Sequence, residues 1–202
     1  MPLSARAAQF ADVVRSLLLS VRHAPDRALH DTRRRDIWAA LVRAGRPRRV
    51  LFLCHGNVCR SPFAAALFAR ETARSGQATI ETKSAGFVGP DRQSPENALV
   101  VAEQRYGLDM SAHRSVLVTA GDVAESDIVV VMSAAQARRV RRDFPGLSAI
   151  VVVLGDLDPD AIAKRTILDP WDGDRAKFEA SYDRVERCVG ELVRLTIGAD
   201  VR

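Results

Sequence analysis

Three short aliphatic runs, RVLFLC (49–54), DIVVVM (127–132) and AIVVVLG (149–155), constrain the fold more than any other feature of the chain. Their apolar centres do not alternate with polar residues, so each suits a strand buried on both faces. A fourth segment, TIETKSA (79–85), does alternate and suits a strand with one wetter face. Between these runs, apolar residues recur at helical spacing. The pattern predicts helices over 61–75, 95–106, 134–144 and 175–197, with Gly107 and Pro145-Gly146 as stops. Strands that alternate with helices predict a parallel sheet covered on both faces. The expected fold is therefore a three-layer α/β/α unit around a four-stranded parallel sheet.

Residues ahead of the first run have a different character. Residues 1–49 carry eleven Arg against four Asp (+7), whereas residues 50–202 carry nineteen Lys and Arg against twenty-one Asp and Glu (−2). The basic half is also patterned. Phe10, Val13, Val14, Leu17, Leu18 and Val21 share one helical face over 8–22, and Pro25 ends or follows that helix. A second helix is expected from near Asp31 to Ala44, capped by Asp31 or Thr32 and stopped by Gly45 and Pro47. Residues 1–48 thus read as an N-terminal helical extension, and 49–202 as the main domain. Such amphipathic helices pack on their own domain or on a second copy as a homodimer. A membrane-surface helix or a nucleic-acid arm is the weaker use, and no nucleic-acid partner is expected. No apolar stretch reaches the ~18 residues of a membrane span. Three cysteines make no disulfide framework, and the start does not read as a secretory signal, so a cytoplasmic location is expected.

Ligands of open parallel sheets bind beyond the carboxyl ends of the strands. The first run ends in Cys54-His55-Gly56-Asn57-Val58-Cys59-Arg60-Ser61-Pro62. Gly56 and Asn57 tolerate positive φ, so the backbone can curl and aim successive N–H groups inward as an anion nest. A helix starting near Ser61 adds its positive end, and Pro62 suits the first turn. Arg60 supplies a planar fork matched to phosphate oxygens. A cysteine at the rim of such a field is expected to be a thiolate at neutral pH, a nucleophile facing a bound electrophile.

VLFLCHGNVCRSP resembles the P-loop signature of the low-molecular-weight protein tyrosine phosphatases, Cys-x5-Arg followed by Ser or Thr. Asp169-Pro170 resembles that family's late Asp-Pro, Ser84-Ala85-Gly86 its post-strand S-A-G, and 127–132 its third strand. The likeness spans about 49–197. It implies Cys54 as nucleophile, Arg60 as phosphate clamp and Asp169 as general acid and base. It also implies that His55, Gly56, Asn57, Val58, Cys59 and Ser61 line the phosphate site. Ser61 would hydrogen-bond the thiolate, Asn57 would hold the curl, and His113 would support the Ser61 hydroxyl. The substrate would be a phosphotyrosine protein or a small phosphomonoester. No metal and no cofactor are implied. Cys59 is either a partner for a reversible disulfide with Cys54 or a packing residue. Cys188 reads as core, Trp171 as a pocket wall and Arg138–Arg142 as a solvated helix face.

The chain departs from the family pattern at several points. His55 stands where an apolar or small residue is usual, Ser133 replaces an Asp, and 86–89 is short and lacks an aromatic. Trp171-Asp172 follows Asp-Pro in place of a Tyr pair. Val58 lies nearer the Ile of the tyrosine phosphatases than the Thr of the related arginine-phosphate phosphatases, which favours phosphotyrosine. Arsenate reduction on the same fold is a rival, but no further cysteine lies in 110–125. A non-catalytic phosphate-binding or scaffold module would have lost Cys54, Arg60 or Asp169, and all three are present.

Overall fold

The structure is a computed structural model that describes residues 21, 23–76 and 80–198. Its elements are α1 (Ala24–Ala28), α2 (His30–Ala44), β1 (Arg49–Cys54), α3 (Arg60–Arg74), β2 (Glu81–Gly86), α4 (Glu96–Tyr106), α5 (Ala120–Ala124), β3 (Ile128–Val131), α6 (Ala134–Asp143), β4 (Ile150–Val153), a 3-10 turn (Leu154–Leu157) and α7 (Arg175–Ile197). The four strands form one parallel sheet in the order β2-β1-β3-β4. Helices cover both faces, as the alternating pattern requires.

Period-two alternation divides the sheet's side chains between two cores. Val50, Phe52 and Cys54 of β1 join Val130 and Met132 in the larger core, which takes in α3, α4 and α7. Leu51 and Leu53 point the other way, with Val129 and Val131, against Val123 of α5 and Ala137 and Val140 of α6. Every residue of β1 after Arg49 is buried, which explains why that run contains no polar position. β2 sits at the sheet edge, and its burial does not alternate as expected but deepens along the strand, from exposed Glu81 through half-buried Thr82, Lys83 and Ser84 to buried Ala85 and Gly86. The chain entering β1 is tied to the sheet because the Asp127 carboxylate accepts the backbone N–H groups of Arg48 (2.7 Å) and Arg49 (2.9 Å).

Several boundaries differ from expectation. The helix expected over 8–22 lies outside the described residues apart from Val21, and so does any dimer contact it makes. Pro25 falls in the first turn of the short α1, where its missing N–H costs nothing. α2 begins at His30 with Leu29 at its N-cap, so neither Asp31 nor Thr32 caps it. The reason is that His30 is drawn into the fold, buried with its Nε2 2.9 Å from the Asp158 carbonyl. The strand expected over 149–155 ends at Val153. The chain then turns as a 3-10 helix that sends Leu154 and Leu157 into the larger core. Two short helices, α1 and α5, were not expected. α5 is set by a capping box in which Thr119 accepts from the Asp122 N–H and Asp122 accepts from that of Thr119. Cys188 is core, as expected. Ser133 takes a structural role as the N-cap of α6, accepting from the Gln136 N–H at 3.2 Å.

Candidate active site

Cys54 ends β1 opposite Gly86 of β2, and the chain then curls through 55–59 into α3. The curl needs one left-handed residue, and it is Asn57 at φ 52°. Gly56, expected to share that role, does not have positive φ. Asn57 fixes the curl from three sides. Its Nδ2 donates to Ser61 Oγ (3.0 Å) and Ser84 Oγ (2.9 Å), and its Oδ1 accepts the Val116 N–H (2.9 Å). The glycine that matters sterically is Gly86. A Cβ there would lie 2.8 Å from the Asn57 nitrogen and 2.9 Å from the Gly56 carbonyl carbon. β2 must therefore end in a residue without a side chain for the loop to pass.

The loop's carbonyls are held outward one after another. That of His55 accepts the Phe87 N–H (2.8 Å), that of Gly56 the Arg92 guanidinium (3.0 Å) and that of Cys59 the Tyr182 hydroxyl (3.3 Å). The carbonyl of Asn57 meets His113 Nε2 at 2.7 Å. With its carbonyls turned out, a tight loop turns its amides in. Among the described residues the N–H groups of Gly56, Val58 and Cys59 have no protein acceptor, whereas that of Asn57 donates to Cys54 Sγ at 3.2 Å. Ser61 Oγ also donates to that sulfur, at 3.1 Å. Two donors thus converge on the Cys54 sulfur.

Arg60, 4% exposed, opens α3. One terminal nitrogen donates to the Ile167 carbonyl (3.0 Å) and the other pairs with the Asp169 carboxylate. Its buried Nε has no partner among the described residues, which leaves a donor for an anion. Asp169 comes from the loop before α7 and also accepts the Trp171 N–H at 3.3 Å. Cys54, His55, Gly56, Val58, Cys59, Arg60, Asp169 and Trp171 line a cavity of about 220 Å³. That is below the ~300–1,000 Å³ of sites for drug-sized ligands and suits a small anion with part of a ring. The Cys59 thiol is pushed up, first by burial and then by the neighbouring Cys54, so Cys59 stays protonated at neutral pH.

The expected site residues lie together around Cys54, but Asn57 and Ser61 are fully buried behind the cavity rather than lining it, and the expected contact of His113 differs. His113 was expected to support the Ser61 hydroxyl. It meets the Asn57 carbonyl instead, while Asn57 Nδ2 is the group that reaches Ser61 Oγ. Two residues were missed. Arg92, in the loop after β2, clamps the carbonyls of Gly56, Val88 and Gly89 and lies 5.5 Å from the centroid of the Trp171 ring. Tyr182 lies in the core stripe of α7. It stacks on Phe63 (centroids 3.9 Å apart, planes 6° apart) and carries its hydroxyl to the loop. An Arg in a Gly- and Pro-rich loop at a strand's carboxyl end was the one available signal for Arg92.

Residues 49–202 match the family model for low molecular weight phosphotyrosine protein phosphatases. The chain belongs to that family. It is 34% identical over 146 residues to the low molecular weight protein-tyrosine-phosphatase of Streptomyces coelicolor, covering 68% of this chain and 87% of that one. It is 31% identical over 147 residues to the human low molecular weight phosphotyrosine protein phosphatase, covering 70% and 90%. Among solved structures it resembles the YwlE arginine phosphatase from Geobacillus stearothermophilus, with TM-score 0.63, 26% identity and coverage of 73% and 92%. This phosphatase hydrolyses phosphomonoesters by the family's phosphocysteine chemistry. No helix among its described residues is long and apolar enough to cross a membrane.

Proposed function

We propose that this phosphatase acts on phosphotyrosine, with Cys54 as nucleophile, Arg60 as clamp and Asp169 as proton donor. The observation that carries the assignment is the Cys54 sulfur, held by Asn57 N–H and Ser61 Oγ beside inward amides and the unpartnered Arg60 Nε. A phosphoryl group seated on those donors lies over the sulfur. The thiolate attacks phosphorus, and the bond to the leaving oxygen breaks as that oxygen takes the Asp169 proton. Arg60 and the loop amides stabilise the charge on the three equatorial oxygens. Asp169, now a carboxylate, takes a proton from water. The resulting hydroxide attacks phosphorus, the P–S bond breaks, and phosphate leaves with the thiolate restored. His55, Gly56, Val58 and Cys59 contribute backbone and shape, while Ser61 and Asn57 hold the sulfur and the curl.

The resting Arg60–Asp169 pair gives binding and proton donation a shared control. A phosphate dianion on Arg60 competes with Asp169 for the guanidinium, so binding frees the Asp169 carboxyl to turn toward the leaving oxygen. For the substrate, buried Val58 presents an apolar wall, and Trp171, about half exposed, stands at the mouth where an aromatic ring would enter. The test is turnover of matched peptides bearing phosphotyrosine or phosphoarginine, with arsenate reduction assayed in parallel. The phosphotyrosine peptide is expected to be faster by at least about tenfold, with no arsenate turnover. A preference for phosphoarginine would overturn the substrate assignment and leave the chemistry standing.

A further inference from the structure

The proposed proton donor sits near the end of a long irregular stretch. Residues 158–174, between the 3-10 turn and α7, contain no helix or strand. A stretch of that length holds a side chain in place only if it is pinned along its course. Some pins come from the catalytic unit: the Ile167 N–H donates to the Met132 carbonyl (3.0 Å), Ser181 Oγ to the Leu168 carbonyl (2.9 Å), and Arg184 to the carbonyls of Lys164 (2.8 Å) and Thr166 (3.1 Å). Two others come from outside the matched family region. His30 Nε2 meets the Asp158 carbonyl at 2.9 Å, at the loop's first residue. The Asp26 carboxylate accepts the Arg165 backbone N–H at 3.1 Å, four residues before Asp169. The Arg165 side chain meanwhile forks onto buried Asp156 (2.7 and 2.5 Å).

These two pins are themselves firmly seated. Leu41 of α2 is buried in the larger core, and Arg34 pairs with Glu191 of α7 at 2.5 Å. Asp26 is steadied by Arg33 (3.7 Å) and His23 (3.3 Å). We propose that the N-terminal extension positions the Asp169 loop, with Asp26 and His30 as positioning residues for leaving-group protonation. The inference rests on the reading of Asp169 as proton donor.

A displaced acid hurts poor leaving groups more than good ones, because a stabilised leaving oxygen needs its proton less. The test compares kcat/KM for phenyl phosphate and p-nitrophenyl phosphate in the full chain and its variants. Asp169→Ala is expected to lose about 100-fold on phenyl phosphate and far less on p-nitrophenyl phosphate. Asp26→Ala is expected to show the same signature in miniature, about tenfold on phenyl phosphate and within about twofold on the other. Asp26→Asn keeps an acceptor oxygen and is expected near wild type. His30→Leu, which removes the donor to Asp158 but fills its space, covers the case in which Asp26→Ala does not fold. Equal losses on both esters, or no loss on either, would overturn the positioning role while Asp169→Ala keeps its signature. If Asp169→Ala itself does not discriminate, the proton-donor reading falls and the positioning role falls with it.

Discussion

Cys54→Ser is expected to lower kcat for p-nitrophenyl phosphate by on the order of 10⁴-fold or more while phosphate still binds. A serine hydroxyl is not ionised at neutral pH, and Asn57 N–H and Ser61 Oγ cannot make it so. Arg60 and the inward amides, proposed to hold the anion, are untouched by the change. Steady-state rates with calorimetric phosphate titration check both halves, and retained turnover would remove Cys54 from the reaction. The same chemistry predicts which cysteine reacts with iodoacetate. Burial pushes up the thiols of Cys59 and Cys188, so both stay protonated at pH 7. A peptide map should show carboxymethylation at Cys54 alone.

Arg60→Lys is expected to cost about 10²–10³-fold in kcat despite keeping the charge. Arg60 uses one terminal nitrogen on the Ile167 carbonyl and the other on Asp169, and keeps Nε for the anion. A lysine ammonium is a single point and cannot reach three directions at once. It loses either the hold on the Asp169 loop or the flat two-point grip on the phosphoryl group, whose oxygens become coplanar in the transition state. The loss should therefore fall on kcat more than on KM. Near-wild-type kcat in Arg60→Lys would show that charge alone suffices.

The features legible in the sequence were those written in consecutive residues. The buried strands were visible because burial on both faces removes polar residues from the run, and 54–62 was visible because its curl, nucleophile and clamp lie within nine positions. Long-range partners were not legible. Nothing at Arg92 announces a bond to a carbonyl 36 residues back, and nothing at Asp26 announces the Arg165 N–H 139 residues on. His113 was misassigned for a related reason: Asn57 and His113 both reach the loop, and only the folded geometry decides which takes Ser61. Leu154 and Gly155 continued an apolar pattern that serves a 3-10 turn as well as a strand.

The pairing of Arg60 with Asp169 also bears on how the chain comes to fold. A guanidinium buried at a helix start without a counter-charge would cost several kcal/mol. Asp169 supplies that counter-charge from a segment more than a hundred residues later. In the folded chain the charge of that cation is thus balanced from within. The residue proposed to deliver the proton in each turnover is also what makes a buried cation tolerable beside it.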